Sequence, residues 1–168
     1  MVRTITALMV LCAVSVAHAK DARSQLVAVL SCDASASPAQ VASLIKSLGG
    51  HTLLQAVPNT DVEYTLPNPI EVFSQPVSRI AVHPGKNTDG DFTEYRSAFD
   101  GPGDKVAQYA GIAPTNGAYR REVGNNDLTL RFEPGGSYIV CANGVRSVTK
   151  SIKREWRKVT KTPPPTLD

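Results

Sequence analysis

Two apolar runs that each end in a cysteine constrain the fold more than any other feature. Leu26–Cys32 lies near the start of the chain and Tyr138–Cys141 near its end. Short continuous apolar runs are typical of buried strands, so Ser24–Ser31 is predicted as the first core strand and Ser137–Ala142 as the last. We predict that a disulfide joins these two strands, with Cα atoms roughly 4.4–6.8 Å apart.

The first residues have the pattern of a secretory signal peptide. Arg3 supplies a positive charge, Ile5–Val16 is apolar but too short to span a bilayer, and Ala17-His18-Ala19 is a small-x-small cleavage motif. Cleavage after Ala19 removes Cys12 and leaves Cys32 and Cys141, which lack the Cys-x-x-Cys spacing of a redox pair. We therefore expect an exported protein, periplasmic or secreted, with a signal peptide over residues 1–19 and one structural disulfide.

Local signals predict two helices between the cysteines. Ser37 is an N-cap candidate before Pro38, and Gly49-Gly50 ends the segment. The first helix has an apolar face of Val41, Leu44, Ile45 and Leu48. The second is predicted over Asp104–Ile112, with Val106, Tyr109 and Ala110 on one side.

Turn residues divide the rest of the core into strands. The sequence predicts a hairpin turn at Lys86–Asp91. The remaining predicted strands of the core are Asp61–Leu66, Ile70–Val82 with a bend at Pro76, Phe92–Phe99, Ala118–Val123 and Leu128–Phe132. Hairpin connections dominate, which favours an α+β fold: a single mostly antiparallel sheet with two helices on one face. In this prediction the disulfide joins the first and last strands of the core, and the domain covers residues 20–145.

Charge is distributed unevenly between this domain and residues 146–168. Lys20–Val145 contains 10 Lys and Arg against 13 Asp and Glu, whereas Arg146–Asp168 contains 7 against 2. A slightly acidic body makes nucleic acid an improbable partner.

The basic C-terminal extension has one apolar stripe at helical spacing, made of Val145, Val148, Ile152, Trp156 and Val159. Its candidate surface residues are Lys150, Lys153, Arg154, Trp156, Arg157 and Lys158. Three interpretations stay open: a helix on an anionic membrane or envelope polymer, a helix docked on the body, and a disordered arm.

Motifs for catalysis or cofactor binding are not found in the sequence. His51 and His83 lack further ligands at zinc-site spacing, and no Gly-x-Ser-x-Gly or Gly-rich phosphate loop occurs. We expect no metal and no cofactor, and we expect the carboxylates Asp89, Asp91 and Glu94 to be solvated near a turn.

The segment Pro84–Asp91 is long and polar for a plain turn, which suits a binding loop. The candidate residues are Asn87, Asp89, Gly90 and Asp91. A calcium loop is disfavoured, because Gly85 and Arg96 would fall where carboxylates are needed.

The run Glu63–Phe73, followed by Pro76–Ile80 and flanked by the two cysteines, resembles small exported proteins of Gram-negative bacteria that carry no assigned activity. The resemblance implies an exported α+β domain and assigns no functional residue. We expect a non-enzymatic protein-binding module whose partner is another protein, and an inhibitor is one form that such a module can take. The alternatives are an envelope-associated protein acting through the basic extension and a hydrolase with a dispersed active site.

Overall fold

The computed structural model describes residues 21–54, 61–87, 90–115, 118–133 and 136–143. These residues form three helices and one sheet of eight strands. The helices are α1 (21–30), α2 (Pro38–Ser47) and α3 (Gly103–Tyr109). The strands are β1 (His51–Leu54), β2 (Val62–Val72), β3 (Gln75–Asn87), β4 (Gly90–Phe99), β5 (Pro114–Thr115), β6 (Ala118–Val123), β7 (Asn126–Glu133) and β8 (Gly136–Asn143).

The sheet has the order β1-β2-β3-β4-β8-β7-β6-β5, and every pair of neighbours is antiparallel. The last strand, β8, therefore lies between β4 and β7 in the middle of the sheet. The predicted α+β class and antiparallel sheet are confirmed.

All three helices contribute to a single apolar core against one face of the sheet, which we call the inner face. Leu26 and Leu30 of α1, Val41 and Ile45 of α2, and Val106 of α3 are buried in it. On the sheet side they meet inward residues such as Tyr95 and Ile139. Each large apolar side chain buried in this way contributes about 1.5–3 kcal/mol relative to an exposed position.

The predicted strand Ser24–Ser31 is wrong, because these residues belong to α1 and the turn after it. Ala22, Leu26, Val29 and Leu30 are buried, whereas Ser24 and Gln25 are exposed. Buried positions at i, i+4, i+7 and i+8 are the spacing of one helical face. Val27 and Ala28 are half-buried beside that face, so the run looked continuous in the sequence.

The predicted disulfide is confirmed, but not the elements that it joins. Cys32 and Cys141 are bonded with their Cα atoms 5.4 Å apart. Cys32 follows α1 with a positive φ of 66°, and Cys141 lies within β8. The bond therefore links the end of a helix to a central strand, not the first core strand to the last.

Helix α2 begins and ends as predicted. The Ser37 hydroxyl accepts a hydrogen bond from the backbone N–H of Gln40, and the Gln40 side-chain oxygen accepts one from the backbone N–H of Ser37. Together the two bonds make a capping box. Gly49 follows the helix with a φ of +78°, a conformation that glycine adopts without strain.

Two other predictions need correction. Phe73 and Ser74 both have positive φ and form a two-residue turn between β2 and β3, dividing the predicted strand Ile70–Val82. Helix α3 ends at Tyr109, whose side chain is 62% exposed and does not join Val106 and Ala110 in the core.

Candidate functional site

The candidate site lies on the face of the sheet opposite the three described helices, which we call the outer face. Side chains alternate between the two faces along each strand. In β4, Tyr95 and Phe99 point into the core, so Glu94 and Arg96 lie on the outer face. The strand register sets Glu94 of β4 and Asp127 of β7 on either side of Ala142 of β8.

Glu94 is the centre of an ion-pair network on this face. Its side chain is only 8% exposed. Arg131 donates to both of its carboxylate oxygens, with Nη1 3.0 Å from Oε2, and Arg96 donates to Oε2 from Nη2 at 2.9 Å. Such two-pronged pairs are the strongest hydrogen bonds between protein side chains.

The arginines keep Glu94 ionised despite its burial. Burial raises the pKa of the Glu94 carboxyl, but the hydrogen bonds and charges of Arg131 and Arg96 outweigh it. The pKa of Glu94 therefore lies below its ordinary value of 4.5.

The network extends towards β2 and β3 through a second carboxylate. Asp61, which precedes β2, accepts from Arg96 Nη1 at 3.3 Å, and its other oxygen is hydrogen-bonded to His83 Nδ1. A separate pair on the far side joins Arg120 of β6 to Asp127 of β7. Ionisable side chains from five strands or their ends thus share one face.

A groove of about 250 Å³ opens at the β8–β7 side of this network. It is lined by Phe92, Glu94, Arg120, Asp127, Thr129, Arg131 and Ala142. Its carboxylates are buried, whereas the side chains of Arg120 and Arg131 are 52% and 38% exposed. The groove therefore presents guanidinium groups, although its formal charges balance.

The aromatic edge of the groove depends on a glycine. Gly85 pairs with Phe92 across β3 and β4. A Cβ atom on Gly85 would lie 2.1 Å from the Phe92 ring, so the ring lies directly over the glycine backbone. Any side chain at this position would displace the ring.

Asp61 and His83 have the arrangement of a base and its orienting carboxylate. The ring neighbour of His83 is Phe92, with centroids 6.5 Å apart, and its cross-strand partner is Glu94. Phe92 is not a nucleophile, and the Glu94 carboxylate is already paired with Arg131 and Arg96. Among the described residues, no group of three or more His, Cys, Asp and Glu side chains could hold a metal ion.

The structure places some of the sequence-predicted residues and not others. Cys32 and Cys141 meet. In the predicted binding loop, β3 and β4 stay paired as far as Asn87 with Gly90, and Asp91 pairs with Lys86, so the described part of this segment is the end of a hairpin. Its role in binding stays a prediction. Asp89 and the basic extension, including Lys150, Lys153, Arg154, Trp156, Arg157 and Lys158, lie outside the described residues, as does the predicted signal peptide.

The sequence prediction missed the outer face. The sequence predicts a solvated Glu94, whereas in the structure Glu94 is buried and held by two arginines. The available signal was the spacing of Glu94 and Arg96, and of Asp127, Thr129 and Arg131, at every second residue. That spacing puts polar side chains on one face of each strand, but it does not say which strands are neighbours.

Comparisons with known proteins identify no relative of this chain. No protein-family model matches this chain, and no curated protein or solved structure is significantly similar to it. None of the helices in the described ranges is long and apolar enough to cross a membrane.

Proposed function

We propose that this chain is an exported, non-enzymatic protein-binding domain, periplasmic or secreted, that recognises its partner with the outer face of its sheet. The observation that carries the proposal is the groove between Arg120 and Arg131, where exposed guanidinium groups lie above buried carboxylates. Arginine and aromatic residues are enriched where proteins bind one another, and Phe92 lines the same groove.

The scaffold supports this use because it holds the face rigidly. Glu94 and Arg96 lie on β4, between β3 and β8, in the middle of the sheet. The inner face is packed against the helices, and the disulfide ties α1 to β8. Recognition residues on a rigid element lose little conformational freedom on binding, which favours affinity.

The ion-pair network around Glu94 contributes more to discrimination among binding partners than to the stability of the fold. Buried ion pairs contribute little net stability, because desolvation offsets their attraction. Charges at fixed positions instead discriminate strongly among partners, since a like charge placed opposite them costs several kcal/mol.

Affinity capture with matched variants tests the proposal. The processed, oxidised protein is immobilised and incubated with envelope extract and culture medium, and retained proteins are identified by mass spectrometry. The test variant is Arg120→Ala with Arg131→Ala. The control is Lys46→Ala with Lys105→Ala, which removes two exposed positive charges from α2 and α3.

The proposal predicts a partner that is retained by the control and lost from the test variant. A partner retained equally by both variants would place recognition elsewhere on the molecule. Circular dichroism and melting temperature establish that both variants are folded.

A hydrolase remains the second candidate, and the Asp61–His83 pair is the observation that favours it. Replacement of His83 by Gln would abolish hydrolysis of a panel of ester and peptide substrates. If the wild-type protein shows no His83-dependent turnover in that panel, this candidate is removed.

A further inference from the structure

We infer that the groove binds a carboxylate side chain of the partner, an Asp or Glu held between Arg120 and Arg131. This inference rests on the proposed function and specifies its chemistry. It identifies the partner surface as an acidic segment of a protein.

The two arginines have hydrogen-bond donors to spare. A guanidinium carries five N–H donors. Arg131 uses two of its nitrogens on Glu94, and Arg120 uses one on Asp127. Since both side chains are substantially exposed, their remaining donors are accessible to a ligand.

The sheet register brings these donors to one place. Arg120 pairs with Thr129 across β6 and β7, and Arg131 is two residues further along β7 on the same face. Such diagonal neighbours are roughly 7–8 Å apart at their Cα atoms, within reach of two long side chains. Thr129 lies between them, and its buried Oγ1 has no hydrogen-bond partner.

The charges favour an anionic ligand over a cationic one. The Glu94 and Asp127 side chains are only 8% and 7% exposed, and both already accept from arginine. A lysine or arginine of a partner would have to displace those guanidinium groups. A carboxylate instead adds a partner to each guanidinium without breaking the existing pairs.

The size and edges of the groove favour an amino-acid side chain. Its volume of about 250 Å³ is below the roughly 300–1,000 Å³ of pockets that bind drug-sized molecules. Ala142 and Phe92 give it an apolar border that suits the methylene groups of Glu or Asp. The planar, two-oxygen carboxylate also matches the fork of a guanidinium.

Fluorescence anisotropy with two matched peptides tests the inference. One short labelled peptide alternates Glu and Gly, and the other has Gln in place of Glu. Each is titrated with the full processed protein and with its variants Arg120→Ala, Arg120→Lys and Lys46→Ala. Residues 146–168 attract any acidic peptide, so the decisive reading is the difference between variants that share this segment.

We expect the Glu peptide to bind and the Gln peptide not to bind. Arg120→Ala should weaken binding of the Glu peptide about tenfold or more, a loss of about 1.4 kcal/mol. Arg120→Lys should recover only part of it, because lysine lacks the fork, and Lys46→Ala should match the wild type. Arg120→Ala leaves the buried Asp127 carboxylate without its guanidinium, so circular dichroism and the melting temperature must first establish that this variant is folded, and Arg120→Lys, which keeps the positive charge, is the milder replacement.

Three results would overturn the inference: equal binding of the two peptides, unchanged binding by Arg120→Ala, or an Arg120-dependent affinity for inorganic phosphate or anionic vesicles that exceeds the affinity for free glutamate. These results differ from failure of the proposed function. A captured partner that depends on Arg120 and Arg131 would preserve the protein-binding proposal even if the Glu peptide does not bind.

Discussion

Removal of the Cys32–Cys141 disulfide is expected to cost this domain a third or more of its stability. The two cysteines are 109 residues apart in the sequence. In the chain-entropy model, closing a loop of about 110 residues lowers the entropy of the unfolded chain by about 16 cal/mol/K, or about 5 kcal/mol at 25 °C. Domains of this size are stable by only about 5–15 kcal/mol in total.

Removal of the disulfide leaves the protein surface unchanged because the bond is buried. Cys32 and Cys141 are 2% and 0% exposed, so their replacement changes the core and the chain topology but not the surface. Urea unfolding, followed by circular dichroism, should compare the oxidised protein, the reduced protein and the variant with both cysteines replaced by Ala. With a slope of roughly 2 kcal/mol/M, a loss of about 5 kcal/mol should lower the urea midpoint by about 2.5 M.

The reduced protein and the double Ala variant separate loop closure from packing. Both lack the cross-link, but only the variant also loses the two sulfur atoms. Their free energies of unfolding should therefore agree within about 1–2 kcal/mol. If reduction changes the free energy of unfolding by less than about 1 kcal/mol, the loop-closure reasoning is refuted.

Three further predictions follow from individual side chains. Glu94→Gln should destabilise the domain by about 1–3 kcal/mol at pH 7. Because the pKa of Glu94 is lowered in the folded state, its ionised form adds stability above about pH 4.5 that is lost as the pH falls through the lowered pKa. The difference in chemical unfolding between wild type and variant should therefore shrink in acid, and a difference independent of pH would contradict this. Burial raises the pKa of Tyr95 to about 12, so ultraviolet titration should find one tyrosine ionising late, absent in Tyr95→Phe. The stability that this tyrosine adds below pH 10 should disappear between pH 10 and about 12. Tyr95→Phe also removes the hydrogen bond from the Tyr95 hydroxyl to the Ala36 carbonyl oxygen, which should lower the free energy of unfolding by about 1–2 kcal/mol. Finally, if the basic extension binds membranes, emission from Trp156 should shift blue with anionic vesicles and reverse with salt; an unchanged spectrum would exclude that alternative.

Elements with local signals could be predicted from the sequence, and α2 is the best example. Ser37 and Pro38 mark its start and Gly49 its end, and each acts within a few residues. In contrast, 21–30 has no comparable start signal, and its continuous apolar run fits a buried strand as well as a helix. The helical period becomes visible only when the segment is taken from Asp21, because buried Ala22 is then followed by exposed Ser24 and Gln25.

The candidate site could not be predicted because it depends on strand neighbours. Arg131 contacts Glu94 from 37 residues away, and this contact forms because β8 lies between β4 and β7. The alternation within each strand was visible in the sequence, but the order of strands is set by packing of the whole core. A charged pattern near a turn therefore looked like a solvated surface until the register was known.

Site-specific photo-crosslinking tests the central claim most directly, namely that the outer face is the recognition surface. A benzophenone amino acid replaces Phe92, which lines the groove, or Tyr109, which is exposed on α3 on the helical side of the sheet. Both variants are expressed in the native host and irradiated. The account predicts one discrete adduct from position 92, abolished by adding Arg120→Ala, and no matching adduct from position 109. An adduct that forms equally from position 109, or that persists without Arg120, would contradict the account.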